Sequence, residues 1–292
     1  MSYTISGYST ALFSTWYFIE ELGILFDAGD GVTAGLLQKA RKINHVFISH
    51  ADRDHLTGLL QLNQLNAREG FPIIHYPANS GSFPAIETFS KKFDPHVYGT
   101  IWKAIQANDE IKIKDDLIVL PLRNEHVETV PEIIKSLSYK IFQTKMKLRP
   151  EIASLSQDKI KELMANEGKE KLTMEIRTNV LSYSGDTPVD DYEKWNDSKI
   201  LIHEATFLDA PGATKISIHG NKHSHLEEVI KMVSEINIET LILGHFSSRY
   251  SAEQIDEAIR SYCKKYLIRI PVFRILPGQV HKDILKENPV NW

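Results

Sequence analysis

The chain has 292 residues, 42% of them hydrophobic and 25% charged, with a formal net charge of −4; that balance excludes a disordered chain and a global field attracting nucleic acid. The one cysteine, Cys263, excludes an internal disulfide and a cysteine-rich zinc site, so any metal must be held by histidines and carboxylates. Met1 to Ser6 lack a basic stretch followed by an apolar run, and no later segment is apolar for long enough to span a bilayer, so no membrane association and a cytoplasmic location are expected.

Taken in chain order, Gly23 to Asp27 reads as a strand, Val32 to Lys42 as a helix, His45 to Ser49 as a strand and Thr57 to Ala67 as a helix. Strands follow at Ile73 to Tyr76 and Leu117 to Leu122, then a helix at Ser156 to Asn166. The remainder alternates: strands at Val180 to Ser184, Lys199 to Glu204, Leu241 to His245 and Val272 to Leu276, with helices at His225 to Glu235 and Ser251 to Lys264. Such alternation predicts a layered α/β protein. Residues capable of chemistry fall at strand ends along the whole chain, so dividing it would divide the site. The expectation is a single domain over 1–292, interrupted by a polar helical insertion around 145–177, one helix between mobile connections.

The densest signal is Val46-Phe47-Ile48-Ser49-His50-Ala51-Asp52-Arg53-Asp54-His55, an apolar strand running into four potential ligands within six residues. Imidazoles and carboxylates so crowded are costly unless a cation compensates them. A solvated loop with Asp54 favouring the dipole of the next helix is the competing reading. Three more strands end in ligand-type residues: Leu117 to Leu122 before His126, Leu181 to Gly185 before Asp186, and Leu241 to Gly244 before His245. Singly these read as a loop histidine, a turn aspartate and a hydrogen-bonded core histidine. Together they supply enough ligands for a dinuclear centre.

His50 to His55 resembles the HxHxDH signature of the metallo-β-lactamase superfamily, and Leu25-Phe26-Asp27-Ala28-Gly29-Asp30-Gly31 resembles its first motif. Within the superfamily the chain is most similar to ribonuclease Z and its relatives, over segments from about Leu25 to Tyr250. The resemblance implies a four-layer αββα sandwich. It also implies one divalent ion on His50, Asp52 and His126, a second on Asp54, His55 and His245, Asp186 bridging, and Asp27 supporting the loop without binding metal. Two such ions, roughly 3.5–4 Å apart, can hold a hydroxide and polarise the bond under attack. Asp54 is thereby implied in catalysis as well as in binding. Family members usually carry His at the position of Asp52; zinc is the ion the resemblance implies, and the harder aspartate opens the site to manganese or iron.

Lys199-Ile200-Leu201-Ile202-His203-Glu204-Ala205-Thr206-Phe207 resembles the ribonuclease Z strand whose glutamate works with a downstream histidine, here His223. The implied role is general acid catalysis, His223 protonating an alkoxide leaving group; a capped turn is the bland alternative. His225 is left as a supporting or exposed residue. Arg249, in Phe246-Ser247-Ser248-Arg249-Tyr250, is a candidate phosphate ligand or a neutraliser of the site's carboxylates.

Bacterial ribonuclease Z carries a glycine- and proline-rich arm, whereas between Gly99 and Gly185 this chain has only Gly168, and its lysines and arginines there are interspersed with acids. The implied function is a metal-dependent phosphodiesterase with transfer RNA as candidate substrate and a homodimer left open. Hydrolysis of a cyclic phosphodiester or lactone, or a non-catalytic degenerate member, are the alternatives.

Overall fold

A computed structural model describes residues 3–208 and 222–292. Thirteen strands form two sheets among these residues. The first sheet contains β1 (Ile5–Thr10), β2 (Ser14–Ile19), β3 (Ile24–Phe26), β4 (His45–Phe47), β5 (Ile73–Pro77) and β6 (Ile101–Ile105), in that order. The second contains β7 (Ile111–Lys114), β8 (Leu117–Arg123), β9 (Leu137–Leu148), β10 (Thr173–Tyr183), β11 (Ser198–Glu204), β12 (Ile238–Gly244) and β13 (Val272–Arg274), again as consecutive neighbours.

The alternation of side chains along these strands produces the layers. Tyr17 and Ile19 of β2 face inward, joining Phe26, Phe47, Tyr139, Leu181, Ile200, Ile202 and Ile242 in a core between the two sheets. Trp16 and Phe18, one residue out of step, face outward with Leu25, Val46 and Ile74 and meet Val32, Leu36, Leu59, Leu62 and Phe83 from the helices covering the first sheet. On the other side Leu201, Leu241, Leu243 and Val272 meet Val229, Ile230 and Val233 of helix Leu226–Glu235 and Ile255 and Ile259 of helix Ala252–Lys265. A strand apolar on both faces is the mark of a sheet covered on both sides. The result is the four-layer αββα sandwich.

β3 to β6 run parallel, and so do β10 to β13. β8 is antiparallel to β9 and β9 to β10, so β8 runs with β10. The C-terminal ends of β3, β4, β8, β10, β11 and β12 therefore open toward a common rim, where loops from both sheets can meet.

Three expectations need correction. The insertion around 145–177 is helical only from Pro150–Ala153 through Gln157–Glu167 to Lys169–Leu172; its flanks are strand, β9 pairing with β10 up to Leu148 and Thr173. Beyond Gln143 β9 has no pairing with β8, so the hairpin is exposed on both faces and its residues lose the apolar alternation that marks a strand. The helix expected over Val32 to Lys42 is split, Val32–Leu36 being α and Leu37–Lys42 a 3₁₀ turn, with Leu37 at a φ of 51°. Helix Ser82–Phe93 and strands β1, β2, β6, β7 and β9 were not anticipated.

Among the described residues no helix is long and apolar enough to cross a membrane.

Candidate metal centre

The strands deliver their terminal side chains to one place. β4 leads into His50 and on to the short helix Arg53–Leu56, which carries Asp54 and His55; β8 leads to His126, β10 to Asp186, β11 ends in Glu204 and β12 leads to His245. Two backbone positions there are strained: Asp27 (φ 53°) and His245 (φ 61°) lie in the left-handed region, which non-glycine residues rarely occupy. Glycines permit the close approach. A Cβ on Gly29 would sit 2.3 Å from the carbonyl of Asp54, and one on Gly244 would sit 2.0 Å from the Tyr17 hydroxyl.

Two triads of donor atoms gather within 4.8 Å, His50 with Asp52 and His126, and Asp54 with His55 and His245. Within the first, Oδ2 of Asp52 lies 3.5 Å from Nε2 of His50 and 3.6 Å from Nε2 of His126. Within the second, Oδ2 of Asp54 lies 3.6 Å from Nε2 of His55 and 3.5 Å from Nε2 of His245. Asp186 stands between them: its Oδ2 is 3.8 Å from Nε2 of His50 and 3.3 Å from Nε2 of both His55 and His245. The sandwich brings all seven ligand-type residues together, and Glu204 and His223 join the same cluster, in the triads His126–Asp186–His223 and Glu204–His223–His245.

The hydrogen bonds on the far side of each ring decide which nitrogen is available. Nδ1 of His126 donates to the Lys222 carbonyl at 2.9 Å, and Nδ1 of His55 donates to Oδ2 of Asp27 at 2.8 Å. Ser49 Oγ gives its hydrogen to Asp27, so it accepts from Nδ1 of His50 at 2.9 Å. Thr206 Oγ1 donates to Glu204 and in turn accepts from Nδ1 of His245 at 2.9 Å. With Nδ1 carrying the one proton of the neutral ring, each Nε2 has a lone pair to offer a cation. All four Nε2 atoms are buried and have no hydrogen-bond partner among the described residues. Four inward lone pairs beside three carboxylates fit a divalent cation and little else, since uncompensated they leave polar atoms desolvated. The site binds divalent metal.

The carboxylates favour positive charge at two of the imidazoles, whereas burial lowers the pKa of a third, His50. Burial lowers the basicity of His55, but Asp186 and Asp27 outweigh it and raise the pKa well above the ordinary histidine value. His126 is likewise raised, Asp52 and Asp186 overcoming burial. His126 and His50 together hold Asp52 ionised far below the carboxylate range. So many carboxylates call for positive charge.

Asp27 is fully buried and accepts from the Ser49 amide (2.7 Å), the Ser49 hydroxyl, His55 and the Tyr183 hydroxyl, as a residue holding the ligand loop from behind. Ser49, Thr206 and Tyr183 escaped sequence reasoning. Ser49 beside His50 and Thr206 two residues after Glu204 offered the only local signal, a hydroxyl next to a candidate residue.

Glu204 and His223 meet next to the cluster, Oε1 lying 3.1 Å from Nδ1. Glu204 also accepts from the Thr187 amide at 2.7 Å, which fixes its carboxylate. Burial works against a charged imidazole at His223, but Glu204 and then Asp186 push its pKa up to about 9. His225 is not an exposed residue: it is buried, precedes helix Leu226–Glu235 as its N-cap in a capping box with Glu228, and lies against Phe207. Arg249 is exposed and forms no ion pair with the site's carboxylates among the described residues. Its guanidinium lies 5.7 Å from the Phe207 ring centre and 5.8 Å from that of Tyr250.

The model of the beta-lactamase superfamily domain matches residues 23–148 of this chain. A tRNase Z of Arabidopsis thaliana is 28% identical over 271 residues, covering 88% of this chain and 90% of that protein. The ribonuclease Z of Methanocaldococcus jannaschii is 29% identical over 271 residues, covering 83% and 82%. A metallo-β-lactamase fold protein of Bacillus subtilis superposes with a TM-score of 0.63 at 17% identity, over 96% of this chain and 100% of the other.

Proposed function

We propose that this chain, which has the metallo-β-lactamase fold and resembles ribonuclease Z in sequence, is a phosphodiesterase acting on RNA, with the 3′ region of transfer RNA as its substrate. The observation that carries the reading is the His223–Glu204 pair placed directly against the metal cluster. Hydrolysis of a lactone has little need of such a donor, whereas the alkoxide leaving a phosphodiester is a strong base that must be protonated.

His50, Asp52 and His126 would hold one ion, Asp54, His55 and His245 a second, and Asp186 would serve both. Zinc is the ion proposed, with manganese or iron as the alternatives that Asp52 brings. When bound, such ions lower the pKa of water to near neutrality and neutralise charge developing on phosphoryl oxygens.

The chain's own residues do the rest. Asp27, Ser49, Lys222 and Thr206 hold the four imidazoles with their Nε2 atoms inward, so the donor set needs no reorganisation. Glu204 orients His223 and keeps it protonated at neutral pH, and the proton goes from His223 to the departing oxygen. Arg249, which has no carboxylate partner among the described residues, takes a phosphate oxygen through its planar fork. The same reading treats 1–292 as one domain, leaves a homodimer open on the strength of the resemblance, and keeps the cytoplasmic location expected from the sequence.

The test is kcat/KM of wild type and His223→Ala on paired alkyl and aryl phosphodiesters at fixed metal concentration. Loss of a general acid should cost roughly 10²- to 10⁴-fold on the alkyl ester and far less on the aryl ester, whose phenolate departs unaided. Equal losses would remove the proton-donor role and favour an acyl substrate.

A further inference from the structure

A hollow of about 490 Å³ is lined by Tyr8 and Phe13, by Ser248 and Tyr250, and by Pro277 and Gln279; none of them is a ligand candidate, but the first pair flanks Leu12 and the second follows His245 in the chain. The volume falls within the range of small-ligand sites. Among the described residues no charged side chain lines it. Three aromatic rings with hydroxyl and amide groups among them form a surface suited to a flat, polar-edged heterocycle.

Two of these three walls are tied to the candidate metal centre. One is the turn between β1 and β2, where the Leu12 amide donates to Oδ2 of Asp54 at 3.0 Å, the Ala11 amide to the Phe246 carbonyl at 3.2 Å and the Phe13 amide to Thr10 at 3.0 Å. The turn is therefore fastened to a metal-ligand candidate and to the residue following His245. It is also costly: Leu12 has a φ of 71°, and Leu12 and Phe13 are 88% and 61% exposed. A strained turn holding two large apolar side chains in water beside a polar cluster needs a purpose that the fold does not supply. The other wall is the segment directly after His245, and Arg249 stands at its edge, its guanidinium 5.8 Å from the Tyr250 ring centre. A phosphate held at Arg249 would leave the next group of the substrate over the hollow.

We infer that this hollow is a base-binding subsite: Phe13, Tyr8 and Tyr250 receive the nucleobase next to the scissile phosphate, and Ser248 and Gln279 meet its polar edge. The inference rests on the phosphodiesterase reading for the position of the phosphate, but base binding itself does not depend on turnover. Aromatic stacking is tolerant of base identity, so the subsite selects for a nucleotide over a bare phosphodiester without reading sequence.

Two measurements test it. The first is the ratio of kcat/KM for thymidine 5′-p-nitrophenyl phosphate over methyl p-nitrophenyl phosphate, which share a leaving group and differ in the base-bearing half. Wild type should favour the nucleoside ester, and Phe13→Ala and Tyr250→Leu should each lower the ratio by roughly 5- to 100-fold, as loss of one stacking surface does. An unchanged ratio, including an equal fall on both esters, overturns the subsite. The second is equilibrium dialysis of the metal-loaded protein against uridine 5′-monophosphate and ribose 5-phosphate. The nucleotide should bind more tightly, with the advantage reduced in Phe13→Ala; equal binding of the two by wild type overturns the subsite. Turnover of neither ester by wild type would refute the phosphodiesterase reading, and the dialysis would still decide the subsite.

Discussion

Nδ1 of His55 donates to Oδ2 of Asp27 across 2.8 Å, joining the end of β3 to the helix that follows β4. Both side chains are fully buried, and the same carboxylate holds Ser49, which in turn holds His50. One residue that touches no metal therefore fixes ligands assigned to both ions. Asp27→Asn cannot accept from all of these donors at once. Metal affinity should fall roughly 10- to 100-fold, the usual cost of losing a partner behind a ligand. Titration with a competing chelator measures it, and unaltered affinity would remove Asp27 from the account.

Asp52 is the ligand candidate that departs from the family pattern, and its side chain is 47% exposed while the imidazoles around it are buried. Asp52→His removes one negative charge and supplies the softer ligand that zinc favours. Zinc should be held more tightly and manganese less so. Chelator competition with each metal tests this; affinities unchanged for both would show that Asp52 is not a ligand.

Glu204 raises the pKa of His223, so the donor form is present at neutral pH and is lost as pH rises through about 9. Glu204→Gln keeps a hydrogen-bond acceptor but removes the charge. The alkaline limb of kcat/KM on an alkyl phosphodiester should move to lower pH, with metal content unchanged. A limb at the wild-type position would separate Glu204 from the titration of His223.

His45 and His75 lie away from the centre, with Nδ1 of His45 3.3 Å from Nε2 of His75 and Phe47 stacked 4.3 Å from the His75 ring. Burial pushes His75 down to about 3 and His45 down to about 4, aided by Lys103 and Lys114 respectively and, at His75, by His45 itself. Both stay neutral in the fold while the unfolded chain takes up protons below about pH 6.5, so stability is full above that value and declines as pH falls toward the folded values. His75→Phe removes one titrating group. The variant's stability should depend less on pH between 6.5 and 4, by up to about 1.4 kcal/mol per pH unit, the limit for one proton. Urea denaturation across that range is the measurement, and parallel curves would contradict the assignment.

The ligands were legible because each follows an apolar strand, so burial pattern and chemistry change at the same residue, as at Gly244 and His245. Their supports were not. The Lys222 carbonyl reaches Nδ1 of His126 across 96 residues of chain, and a backbone carbonyl leaves no mark in a sequence. β1 was missed because the core there needs small residues: a Cβ on Gly7 would lie 2.8 Å from Ile275, and Ser6 and Ser9 dilute the apolar signal. The insertion was misjudged at its flanks because a strand with both faces in solvent has no alternation to read. Arg177, counted there among the cations, pairs with Glu110 and Glu175.

The most direct test of the metal centre is Asp186→Ala, because Oδ2 of Asp186 lies within 3.8 Å of Nε2 of His50, His55 and His245 and so belongs to both ligand groups. Metal content and turnover of an aryl phosphodiester are measured on wild type and variant purified identically without added metal. Wild type should hold divalent metal and turn over the ester, and the variant should lose both. A variant that keeps full metal content and full activity would contradict the assignment of this cluster as a shared metal site.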